Sequence, residues 1–193
     1  VVVAQNGNGP AERLLVEFEK PSALERNLRV LCDQIGGRIP GAPAMQRAVA
    51  WAMEAFREAG ASEVHTETFT IPNSWSEGES RAETLAPVRF RARVASVGWS
   101  PATPNGGIEA EVVDGGRGDD GEVERLGSAA RGKIVLVGSE LISSFQDLAV
   151  AQRRATVAMR EAHKAGAAAV ALMSTRPRGL LYRHSNALDG RLD

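Results

Sequence analysis

The sequence predicts an α/β fold organised on a strand-helix-strand unit at residues 131–173. Three observations carry that prediction. First, Ile134–Val137 (IVLV) is a short apolar run without alternation, closed by Gly138. Such a run suits a strand buried on both faces. Second, residues 167–173 (AAAVALM) form another run of the same kind. Third, Ala151, Ala155, Ala158, Met159, Ala162 and Ala165 fall on one stripe at helical spacing between the two runs. Arg153, Arg154, Arg160, Glu161 and Lys164 fall on the other side. His163 and Lys164 occupy the last turn, where cations suit the helix dipole, and Gly166 is placed to take a left-handed stop. Parallel strands joined by a helix form a right-handed crossover in nearly all cases.

The remaining elements follow in chain order. Residues 1–11 are rich in Gly, Asn and Pro and are expected to be disordered, or the remnant of a signal or tag. Ser22 and Glu25 stand as a capping box, and Leu24, Leu28, Leu31 and Ile35 then repeat at i, i+4, i+7 and i+11. This predicts an amphipathic helix ended by Gly36 and Gly37. Residues 36–43 hold two prolines and three glycines and read as a loop. A second helix is expected over 44–59, with Trp51, Ala52, Ala55 and Phe56 on one face and Gly60 as its stop. Residues 63–71 read as a strand closed by Pro72. Residues 73–80 (NSWSEGES) are the clearest break in composition, so a boundary is placed there. Beyond it, residues 89–97 and 108–113 alternate as half-solvated strands, and residues 122–130 hold one helical turn.

Composition excludes several functions. The net charge is -1, which argues against a nucleic-acid or anionic-membrane footprint. No apolar run reaches the length needed to span a bilayer. Cys32 is the single cysteine, so no disulfide forms within the chain, and it reads as a helix residue without chemistry.

The chemistry-bearing residues are sparse. The histidines are His65, His163 and His184, and none stands at a metal-ligand spacing with a second histidine or cysteine. His65 and Glu67 share a strand face but read as a solvated pair. His163 reads as a helix C-terminal cation. Asp114, Asp119, Asp120 and Glu122 do not fit a calcium-loop pattern. The serines of residues 138–144 (GSELISS) lack a nucleophile elbow and a phosphate loop, and read as caps and turns. Arg89, Arg91 and Arg93 form a basic face, with Glu83, Glu109 and Glu111 expected to neutralise it.

Two separated blocks together resemble a known family. Residues 31–43 (LCDQIGGRIPGAP), the 51–60 helix, residues 64–69 (VHTETF) and residues 71–78 (IPNSWSEG) form the first. They are similar to the N-terminal segment of the M28 family of zinc aminopeptidases and carboxypeptidases, most of all its plasma glutamate carboxypeptidase branch. Residues 107–113 (GIEAEVV), 130–137 (ARGKIVLV) and 165–172 (AGAAAVAL) form the second. They look like the protease-associated domain inserted into those enzymes. The resemblance implies an α/β protease-associated-type domain with a βαβ core and antiparallel strands, preceded by a helical and strand segment of the peptidase domain. The implied division is 12–80 for that segment and 81–193 for the protease-associated domain.

The resemblance also implies an exported two-zinc exopeptidase acting on short peptides, with the insert as a lid or substrate-access element. The zinc ligands and catalytic glutamate of that family lie beyond the insert, past Asp193. No catalytic residue and no metal ligand is therefore carried over, and both zinc ions are expected in a catalytic domain outside this chain. His184, in the polar stretch at 182–186, is carried over only as a substrate-access residue. The expected partners are that catalytic domain and peptide substrate, or a second copy of the chain in a homodimer, with no nucleic acid and no membrane. The alternative is a self-contained protease-associated-type module that binds peptides or proteins without catalysis. A small-molecule-binding α/β domain is a third option, against which the missing glycine fingerprint counts.

Overall fold

The computed structural model describes residues 9–20 and 22–183. The chain divides into two compact units, one ending at Trp75 and one beginning at Ser76. His184, the predicted access residue, lies outside the described residues.

The first unit is helical. α1 spans Pro10–Phe18, a helix the sequence reading did not foresee. Pro10 suits the first helical position, and the Glu12 carboxylate accepts the Gly9 N–H at 2.8 Å. α2 spans Ala23–Arg29, and its N-cap Ser22 accepts the Leu24 N–H at 3.3 Å, as the capping pattern predicts. The helix then widens into a π-helical stretch, Val30–Ile35, before Gly36 turns left-handed at φ 79°. Arg38 closes that end by donating to the carbonyls of Leu31 and Gly36 at 2.6 and 3.0 Å. α3 spans Pro43–Glu58, one residue from the predicted limits at each end. Residues 63–71 form no ladder, contrary to the expected strand. A strand exists only where a neighbour completes its hydrogen bonds, and no described residue pairs with this segment.

The second unit holds two small sheets. β1 (Ala82–Thr84) and β2 (Phe90–Ala92) pair antiparallel, with Glu83 opposite Arg91. Glu83 instead binds Arg89 through Nε at 2.8 Å, so one of the three expected acidic neighbours does neutralise the basic face. Glu111 pairs with Lys133 at 2.8 Å instead. Arg93 donates to the Gly179 carbonyl at 3.2 Å. The two alternating stretches thus contract to three paired residues each, Phe90–Ala92 and Val112–Asp114.

The other sheet is parallel, in the order β3-β4-β5, with β3 at Val112–Asp114, β4 at Ile134–Val137 and β5 at Ala169–Leu172. Ile134 faces Val112 on one side and Ala169 on the other. α4, Phe145–Lys164, connects β4 to β5 and packs on both. Its buried residues are Ala155, Ala158, Met159 and Ala162, the predicted stripe. The small alanine side chains let the helix approach closely, and Val135 and Val137 fill the space beneath. A 3-10 stretch, Glu124–Ala130, kinked at Gly127, brings Val123 and Ala130 into the same core. Gly166 ends the helix at φ 76°, and the Ala167 N–H returns to the Ala162 carbonyl at 3.0 Å.

Two details of α4 differ from the sequence reading. It begins at Phe145, a turn earlier than its alanine stripe suggests, because Ser144 caps it. Arg154, assigned to the polar face, is half-buried and binds Asp119 through Nε at 2.7 Å.

Candidate functional site

The site follows from how a parallel sheet ends. Open α/β sheets place ligands outside the carboxyl ends of their strands, and a cleft lies at that end of β4 and β5. Here the loop of residues 138–144 leaves β4, and the N-terminus of α4 closes one side. A cleft of about 350 Å³ results. Its lining is mixed: Val137, Leu141, Val150, Leu172 and Met173 supply apolar surface, and Arg117, Ser139, Glu140, Asp147, Arg154 and Thr175 supply polar surface. The Ser139 hydroxyl ties the two strand ends together, its one proton shared between the carbonyls of Met173 and Ser174, each 2.9 Å away. The Ile142 N–H donates to the Thr175 carbonyl at 3.0 Å, which holds the loop over β5.

The rim is charged, but its charges are matched within the chain. Arg117 is ion-paired with Glu140. Arg154 binds Asp119 and lies 3.9 Å from Glu140. Asp147 faces the helix N-terminus and accepts N–H groups from Ser143 and Ser144 at 3.0 and 2.8 Å, and the Ser143 hydroxyl at 2.8 Å. The Ser143 hydroxyl, with the two backbone amides and Ser144, pulls the Asp147 carboxyl down from 3.8 to about 2. The cap serines are therefore structural, as the sequence reading had them.

Behind the rim, the loop of residues 115–121 is folded around one carboxylate. Glu122 accepts the N–H groups of Arg117 and Asp119 at 2.7 and 3.0 Å, and these bonds lower its pKa. Gly118, at φ 76°, lets this loop lie against α4. A Cβ there would stand 2.9 Å from the Arg154 carbonyl oxygen and 3.3 Å from the Ala158 methyl.

The four carboxylates considered for calcium do not converge. Asp114 accepts the Gly116 N–H, Asp119 and Asp120 pair with Arg154 and Arg153, and Glu122 holds the loop. His65 Nε2 lies 3.8 Å from Glu67 Oε1, and both side chains are exposed. Among the described residues no three His, Cys, Asp or Glu side chains gather where one metal ion could sit. The described residues therefore do not fit a zinc site. The cleft itself escaped the sequence reading. Its only sequence signal was position: a polar loop following a buried parallel strand and opening a helix.

No protein-family model matches the chain. Carboxypeptidase Q of Homo sapiens is 32% identical over 158 residues, which are 82% of this chain and 32% of that protein. Carboxypeptidase Q of Mus musculus is 35% identical over 109 residues, 56% of this chain and 23% of that protein. Among solved structures, an M28 peptidase precursor from Shewanella amazonensis SB2B superposes with a TM-score of 0.66 at 24% identity. That match covers 86% of this chain and 37% of the other. The chain thus spans a third or less of the curated relatives it matches.

The fold is that found in an M28 peptidase, and the chain belongs to the M28 peptidase family. Within it, the chain is carboxypeptidase Q-like. No helix among the described residues is long and apolar enough to cross a membrane.

Proposed function

We propose that this chain is the non-catalytic N-terminal and protease-associated portion of an exported M28-type zinc exopeptidase. In this reading, residues 12–80 belong to the peptidase domain, and residues 81–193 are the protease-associated insert. The insert gates access of short peptides to a catalytic domain that supplies both zinc ions. One observation carries the reading. Glu77, near the start of the second unit, is ion-paired with Arg183, the last described residue, and also accepts the Ser96 N–H at 2.8 Å. A domain inserted into a host needs its entry and exit side by side, and such closed ends are where insertions are tolerated.

The alternative, a self-contained binding module, draws on the closed core of the same unit. Metal analysis of the chelator-free chain and a dipeptide hydrolysis assay test the proposal. It predicts no stoichiometric zinc and no turnover. One tightly bound zinc per chain, lost in His65→Ala or His184→Ala, would overturn it.

A further inference from the structure

We propose that the cleft between the C-terminal ends of β4 and β5 and the start of α4 is a binding site for an uncharged aliphatic side chain of a peptide. The proposal rests on the substrate-access reading for its ligand class and on the cleft's own chemistry for the rest.

Size comes first. At about 350 Å³, the cleft lies at the small end of ligand sites, with room for one large side chain and its adjoining backbone. The lining comes second. Val137, Leu141, Val150, Leu172 and Met173 offer aliphatic and thioether surface, and among the described residues no aromatic ring lines the cleft. Leu141 and Met173 are 61% and 54% exposed, so apolar surface stands open to water at the mouth.

Charge decides among occupants. Arg117, Glu140, Arg154 and Asp147 line the opening, and each already has a partner of this chain, Asp119 in the case of Arg154. The helix N-terminus, elsewhere an anion site, is taken by Asp147. An acidic or basic side chain would find no unpaired counter-charge there, and its desolvation would go uncompensated. An uncharged aliphatic chain meets no such cost.

A polar handle remains. Thr175 lines the cleft and is 2% exposed, and its hydroxyl has no hydrogen-bond partner among the described residues. Buried hydroxyls are ordinarily paired. A peptide amide beside the bound side chain is the kind of group that would pair it.

The test is an NMR titration of the 193-residue chain with N-acetyl-leucinamide, N-acetyl-lysinamide and N-acetyl-glutamic acid amide. The leucine probe should shift the amides of Leu141, Val150, Met173 and Thr175. It should bind at least about tenfold more tightly than either charged probe, a difference of about 1.4 kcal/mol. Leu141→Asp and Met173→Asp change exposed positions and so keep the fold; each should weaken the leucine probe about tenfold. Equal response to the three probes, no response, or shifts confined to Gln152, Thr156 and Arg160 on the outer face of α4 would overturn the site. Those results would leave the metal and turnover test of the access reading untouched. Zinc bound by the chain would sink that reading while the leucine titration still stood.

Discussion

The two units of this chain use the same sequence device to opposite ends. In the second unit, the alanine stripe of α4 is buried: Ala158 and Ala162 are fully enclosed against Val135 and Val137. In the first unit, the leucine stripe of α2 stands in water, with Leu24 74% and Leu28 58% exposed. Leu14, Phe18, Phe56 and Phe69 are exposed as well, and among the described residues of that unit only Ala42 and Ala48 are buried. Helical periodicity states which face is apolar. It does not state whether the partner for that face lies within the same chain. Contiguous exposed apolar surface marks an interaction face. The reading of this unit as part of a larger peptidase domain supplies one.

That contrast sets the order of expected effects. Met159 is 3% exposed in the core of the second unit. Met159→Ala should cost about 2–5 kcal/mol in denaturant unfolding. Leu28→Ala, the same kind of deletion on the open face, should cost less than about 0.5 kcal/mol. Comparable losses would show that the α2 stripe is covered in solution.

Next in size is overpacking. Ala158 touches the core from a helix that lies close to the sheet, so Ala158→Leu should cost about 1–3 kcal/mol. Arg154→Leu should also destabilise, because it leaves the Asp119 carboxylate without its partner at the helix surface. Thermal melts of the two variants check both. An unchanged Arg154→Leu melt would show that the Asp119 contact contributes nothing.

A smaller effect lies at the start of α4. Ser144→Ala should cost about 1 kcal/mol through loss of the cap. The same cap has a pH signature. The Asp147 carboxyl sits at about 2 in the folded chain against 3.8 ordinarily. Its contribution is therefore fully present above about pH 4 and is lost as the pH falls towards 2. Melting temperature measured from pH 5 to pH 2 should fall more steeply for the wild type than for Asp147→Asn. The smallest expected effect is at the junction. Glu77 and Arg183 are partly exposed, so Glu77→Gln should cost no more than about 1 kcal/mol.

The β4-α4-β5 unit was legible because each of its parts is local: two unbroken apolar runs, a small-residue stripe, a glycine stop. The segments that went astray depend on distant or absent neighbours. Residues 63–71 have strand composition but no ladder, since composition cannot supply a pairing edge. α1 was missed because Gly9, Pro10 and the flanking asparagines read as a disordered start, although Pro at the first turn favours a helix. Arg154 was misassigned because a helical wheel knows nothing of the Asp119 loop, which Gly118 brings up against it. The cleft was invisible for a related reason. Its walls come from Arg117 and from residues within 137–155 and 172–175, which the parallel pairing of β3, β4 and β5 brings together.

Native-state hydrogen exchange on the 193-residue chain tests the difference between the units most directly. Core elements exchange through global unfolding, whereas loosely packed ones open locally at lower free energy. The account predicts that the amides of Val135, Val137, Ala158 and Ala162 exchange only through global unfolding of the second unit. The amides of Leu28, Val49 and Phe56 should exchange through local opening, with far lower protection. Equal protection in the two sets would contradict it, showing that the first unit completes its own core and that its apolar faces need no partner.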